Sequence, residues 1–155
     1  MKSYAEIFME SAIDEALLRS KNHSEVPVGC VIVKDHKIIA TACNTTCITR
    51  HVVSHAEINA IRKASVWHKD WRLNDMDLFV TMEPCLMCMG AIMLSRIRTV
   101  YFGLSNYITG AFHGPTPIED TKIKTLVVSG VCEDDITQMV KDFFADKRTR
   151  QVKKP

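Results

Sequence analysis

Residues 78–92 read LFVTMEPCLMCMGAI, and this stretch decides the fold. Leu78 to Met82 is a short apolar run suited to a buried strand. Pro84 follows, and proline is tolerated where a helix begins, because its missing N–H would have no partner there. Cys85 to Ser95, rich in Met, Ala and Leu, then reads as a helix. Cys85 and Cys88 stand three residues apart, which puts them on one face of that helix. In the first turn, unpaired backbone N–H groups and the helix dipole favour thiolate.

The same alternation extends outward. Ala5, Phe8, Met9, Ala12, Ala16 and Leu17 recur at helical spacing over 5–17. Two β-rich runs, the first Val28 to Val33, flank Lys34-Asp35-His36-Lys37 and predict a hairpin. Residues 43–54 are polar and read as a loop, and His55 to Lys63 reads as a helix. Strands are expected at Arg98–Leu104 and Leu126–Ser129, with a Gly- and Pro-bearing loop from Asn106 to Asp120 between them. Glu133 to Lys147 closes the pattern as a helix whose apolar face carries Ile136, Met139, Val140, Phe143 and Phe144. Strands alternating with helices predict an α/β or mixed three-layer domain.

The 155 residues fit one domain, 1–155, with a basic tail from about 147 to 155. A composition 46% hydrophobic and 25% charged is that of a globular protein. The formal net charge of +2 is too small to mark a nucleic-acid binder by itself. No run approaches the roughly 18 apolar residues of a membrane span, and acidic residues interrupt the N-terminal apolar pattern. The expectation is a cytoplasmic protein with no membrane partner. Its six cysteines are then core residues or metal ligands.

Chemistry concentrates in His55-Ala56-Glu57 and Pro84-Cys85-Leu86-Met87-Cys88. One histidine and two cysteines give zinc three nitrogen and sulfur ligands and leave its fourth position open, as in a catalytic site. His55, Cys85 and Cys88 are therefore the expected metal ligands, holding one Zn²⁺ per chain. Glu57 is expected to take a proton from water and hand it first to a ring nitrogen and then to departing ammonia. Either half of the pattern alone is common. The two together are a described signature of zinc nucleobase deaminases. A purely structural zinc site would have no use for Glu57.

On these residues the chain resembles the cytidine-deaminase-like superfamily, and within it the bacterial-type tRNA-specific adenosine deaminases. The matching pieces are EVPVGCVIV (25–33), Asn44, HAEINAIR (55–62), LFVTMEPCLMCMGAI (78–92), SRIRTVYFG (95–103), Thr109-Gly110-Ala111 and GVCEDDITQMVKDFF (130–144). The resemblance implies a three-layer α/β/α sandwich with a five-stranded mixed sheet, and a homodimer. It implies hydrolysis of adenosine to inosine at the wobble position of a tRNA anticodon stem-loop. It places Asn44 against the target base, Val28 in the pocket wall and the Ala56 N–H at the base edge. Free-base deaminases of guanine or cytosine share the zinc motif and form the alternative. Arg50-His51-Val52-Val53-Ser54 departs from the Asp-Pro-Thr-Ala that usually precedes the histidine, and the stretch after Gly114 also differs.

The remaining candidates have plainer readings. Cys30 and Cys132 adjoin apolar strand segments and read as small buried hydrophobes. Cys43 and Cys47 read as bystanders, and His51 and His113 as loop histidines. Trp67 and Trp71 are expected to pack over the helix from His55. The basic residues Lys147, Arg148, Arg150, Lys153 and Lys154 form either a solvated face or a phosphate-binding cluster.

Overall fold

Strand β1 (Gly29–Lys34) turns Cys30 and Ile32 to one side and Val31 and Val33 to the other, and all four are buried. Side chains alternate across a strand, so such a strand needs a packed layer on each face. The structure, a computed structural model, describes residues 1–19, 25–118 and 124–152 and supplies both layers. Helices α1 (Tyr4–Arg19) and α5 (Glu133–Val152) cover one face. There Phe8, Met9, Ala12 and Ile136 pack on Val31, Val33 and Phe79. Helices α3 (Ala56–His68) and α4 (Leu86–Leu94) cover the other, where Ala56, Ala60, Met89 and Ile92 pack on Ile32, Leu78 and Val80.

The sheet has five strands in the order β2-β1-β3-β4-β5, with β2 at Lys37–Cys43, β3 at Asp77–Met82, β4 at Thr99–Leu104 and β5 at Leu126–Val128. β1 runs antiparallel to β2 and β3, whereas β3, β4 and β5 are parallel. This is the expected mixed sheet in three layers. The hairpin turns on Asp35 and His36, both with positive φ (48° and 59°), the pair of conformations a tight two-residue turn requires. Gly29 lies under α1. A Cβ there would stand 1.9 Å from the Ala12 carbonyl oxygen and 2.7 Å from the Ala16 nitrogen. Gly29→Ala is expected to destabilise the fold by about 3 kcal/mol in urea denaturation, because rigid backbone must move.

Several boundaries differ from the expectation. Within the predicted loop 43–54, Thr46–Thr49 forms one helical turn, α2. Its Ile48 N–H donates to Glu25, a partner far back in the chain that local sequence does not announce. Helix α3 continues past Lys63 to His68, and α5 carries the basic tail on to Val152. Lys147, Arg148 and Arg150 thus ride on a helix, whereas Lys153 and Lys154 lie outside the described residues. Trp67 and Trp71 do not pack over α3 but stand 56% and 52% exposed. The guanidinium groups of Arg72 and Arg96 lie 4.3 and 5.4 Å from the Trp71 ring. Leu17 and Phe144 are also exposed rather than core. At the end of the sheet where β3 and β4 begin, buried Asp77 accepts hydrogen bonds from Arg98 and from the Tyr4 hydroxyl.

Candidate active site

The centre is built by two helix starts. His55 is the N-cap of α3 (φ −74°, ψ 155°), and Cys85 is the N-cap of α4 (φ −72°, ψ 172°). An N-cap side chain ordinarily binds its own helix's free N–H groups. Neither His55 nor Cys85 does so, leaving both side chains for other work. Cys88 follows three residues into α4 and is fully buried. His55 Nδ1 lies 3.7 Å from Cys85 Sγ and 3.4 Å from Cys88 Sγ. Among the described residues this is the one group of three or more His, Cys, Asp or Glu residues whose ligand atoms all fall within 4.8 Å of one another.

These distances test the zinc reading. Ligands at the usual Zn–S and Zn–N lengths, on two corners of a tetrahedron, stand about 3.6 Å apart. The two measured separations bracket that value. The hydrogen bond from the Cys88 thiol, helped by His55, brings Cys85 down to about 4 against its burial. Cys88 is pushed up by that same bond and by burial, while the bond to Cys85 raises His55. Two thiolates and one imidazole would give a zinc ion three ligands and room for a water.

Glu57, on the first turn of α3, is only 4% exposed. Burial pushes it up to about 7, opposed in part by backbone hydrogen bonding and by His55. Cys88 and Cys85 both act on the charge of this carboxylate, which places it beside the ligand group. A carboxyl titrating near neutrality is poised to take and return protons.

Backbone hydrogen bonds link Val28 and Asn44 to the segment that leads into His55. The Asn44 N–H donates to the Val28 carbonyl (3.0 Å), and the next N–H, of Thr45, donates to the Ser54 carbonyl (3.0 Å) beside His55. Val28 packs against the cluster containing buried Ala56. As the first residue of α3, Ala56 presents an N–H with no intrahelical partner. Sequence reading missed three polar residues that hold this arrangement. Asn59 donates from its side-chain amide to the Cys43 carbonyl, Thr45 Oγ1 and the Ser54 carbonyl (3.1, 3.0 and 3.3 Å). Glu25, 4% exposed, binds Asn44 and Ile48. Glu83, 3% exposed, is the third. An acidic residue set in the apolar run before Pro84 was the signal for it.

His113 is an exposed loop residue, as expected, but Glu83 gives it a partner that the sequence did not announce. The carboxylate accepts from the N–H groups of Asn106, Phe112 and His113 (2.8, 2.7 and 2.9 Å), and His113 Nδ1 lies 2.8 Å from it. Burial disfavours its charge, yet these donors hold it below the usual carboxylate range. Gly110 is the close approach that permits the clasp, because a Cβ there would sit 2.5 Å from the Glu83 carboxyl. Gly110 in turn bridges to Cys85, and the Ala111 N–H donates to the Pro84 carbonyl. The loop is therefore fastened to the start of α4. His51 is exposed, as expected. Cys30 is fully buried, but Cys132 is only partly so and has a left-handed backbone (φ 55°).

Known proteins share this arrangement. The zinc-binding region of cytidine and deoxycytidylate deaminases matches residues 2–104. A tRNA-specific adenosine deaminase of Streptococcus pyogenes serotype M1 is 39% identical over 93% of this chain and 85% of its own length. A structure solved in a study of A-to-I editing by tRNA:A34 deaminases at the wobble position of transfer RNA superposes with a TM-score of 0.79. It has 36% identity, covering 86% of this chain and 98% of its own. Guanine deaminase from Bacillus subtilis superposes with a TM-score of 0.63 at 28% identity, covering 79% of this chain and 87% of its own.

Proposed function

The chain belongs to the family of cytidine and deoxycytidylate deaminases with a zinc-binding region, and we propose that it hydrolyses adenosine to inosine at the wobble position of a tRNA anticodon. The observation that carries the reading is the His55, Cys85 and Cys88 group with the buried Glu57 carboxylate against it. The likeness to tRNA deaminases at 36–39% identity over most of the chain directs it to RNA rather than to a free base.

His55, Cys85 and Cys88 would hold zinc, which would supply Lewis acidity toward a water molecule. The Glu57 carboxylate removes a proton from that water and delivers it to N1 of the adenine ring. It next carries a proton to the exocyclic nitrogen. Overall a C6–O bond forms, the C6–N6 bond breaks, and water and adenosine become inosine and ammonia. Asn44 and the Ala56 N–H orient the base, and Val28 forms the wall that excludes bulk water. A base stacked in a duplex cannot present its C6 to a centre whose Glu57 is buried, so a single-stranded loop is the suitable target.

The whole chain acts as one domain and pairs with a second copy. Support for pairing comes from α4, where Leu86, Met87 and Leu94 are 48%, 37% and 77% exposed. A Cβ on Gly90 would meet nothing within 4 Å. Such an apolar helix face favours a protein partner over water. The six cysteines are thiols rather than disulfides, which fits a reducing compartment, and we place the enzyme in the cytoplasm.

The deciding experiment incubates the purified protein with an anticodon stem-loop bearing adenosine at the wobble position, followed by nucleoside mass spectrometry. Inosine is the expected product. Turnover of free guanine or cytosine with no inosine from RNA would assign the free-base reaction instead. Sedimentation of the same sample reads the dimer.

A further inference from the structure

Glu25 is almost fully buried, and each oxygen of its carboxylate is committed to a different partner. Oε1 accepts from the Ile48 N–H at 2.8 Å, and Oε2 accepts from Asn44 Nδ2 at 3.2 Å. The Asn44 amide is held from its other end as well, since Thr46 Oγ1 donates to Asn44 Oδ1 at 3.0 Å. A threonine hydroxyl can donate or accept, so Thr46 alone would tolerate either orientation of the amide. A carboxylate only accepts, so Glu25 fixes which end of Asn44 is nitrogen. An asparagine amide has two N–H donors and two acceptor lone pairs. One of each is spent on Glu25 and Thr46, leaving one donor and one acceptor, their positions settled before any base arrives.

We propose that Glu25 is a positioning residue for substrate recognition: it locks the Asn44 amide in the one orientation that matches the target base. The proposal rests on the reading of Asn44 as a base contact. Glu25 does a second, structural job by capping α2, whose N-cap Thr45 makes no side-chain cap bond. The two jobs separate chemically in Glu25→Gln. Glutamine keeps one carbonyl oxygen for Ile48, and its NH₂ then faces Asn44. Two donors repel, so the Asn44 amide turns over and offers the base an acceptor where it offered a donor.

The test is a double-mutant cycle on the full chain with the wobble-adenosine stem-loop. Glu25→Gln is expected to lower kcat/KM on the order of ten- to a hundredfold, the size of one mismatched buried hydrogen bond. Zinc content and melting temperature should stay near those of the unmodified chain. Asn44→Ala should cost at least as much, and combining the two should add nothing, because Glu25→Gln keeps the Ile48 bond and acts on the base only through Asn44. A merely structural Glu25 would give losses that multiply in the double variant, and that result overturns the proposal. So does a silent Glu25→Gln beside a damaging Asn44→Ala. An inert Asn44→Ala would remove the reading of Asn44 as a base contact, and this proposal with it. If Glu25→Gln fails to fold, Glu25→Asp, which keeps the charge but draws the carboxylate back from the Asn44 amide, probes the same contact. A severalfold loss that vanishes in the Asn44→Ala background supports the proposal, and no loss overturns it.

Discussion

Glu57→Gln is expected to lower kcat on a wobble-adenosine stem-loop by about 10²- to 10⁴-fold, the usual contribution of a positioned proton-transfer group. The substitution keeps the size of the side chain and removes its capacity to take a proton. Zinc content by elemental analysis should remain one per chain, because the three ligand atoms are supplied by His55, Cys85 and Cys88. Single-turnover inosine formation, which isolates chemistry from product release, is the measurement of choice. Loss of metal in this variant would make Glu57 a ligand and remove its assignment as the shuttle. Because the residue is buried against Cys88, the same change also tests whether the carboxylate supports the fold. A melting temperature close to that of the unmodified chain is the expected result.

Cys88→Ala should act on metal and stability together. Outer-shell groups around a zinc site are worth roughly 10- to 100-fold in metal affinity. Deleting a direct ligand should exceed the upper end of that range, and the isolated protein is expected to carry little zinc. Cation binding favours the folded state alone, so lost affinity appears as lost stability. The variant should melt below the unmodified chain, and a strong chelator should bring the unmodified chain down to meet it. The fold itself should survive. Its two apolar layers, around Ile32 and Leu78 on one face and Val31 and Phe79 on the other, do not run through the ligand group. A Cys88→Ala protein with full zinc and full activity would disprove the ligand set.

The contrast between these residues and Glu25 shows what a sequence discloses. The ligands and Glu57 were legible because coordination chemistry ties residue type to short spacing, as in His55-Ala56-Glu57 and Cys85-Leu86-Met87-Cys88. The strands were legible because Leu78 to Met82 and Val28 to Val33 are apolar without interruption. Glu25, Asn59 and Glu83 were not, since their partners stand 16 to 29 positions away in most of their hydrogen bonds and obey no period. Residues 43–54 read as loop for the same reason. Their short helix is held from outside, by the Glu25 carboxylate at its start. Trp67 and Trp71 misled in the opposite direction. Large aromatics suggest core, but α3 presents alanines to the sheet, at positions 56, 60 and 64, and leaves its bulk outside.

The Glu83 clasp decides who does the bending. Freeing the 106–113 segment would strip a buried carboxylate of the donors from Asn106, Phe112 and His113, and would break its link to the start of α4. Such a rim is stiff, and the work of bringing base and centre together falls on the RNA. Extruding a stacked base costs a few kcal/mol. An anticodon loop already splayed at its wobble position is spared that cost, whereas the same nucleotide locked in a rigid stem bears it in full. Selectivity would then be set before contact, by how readily each RNA gives up one base.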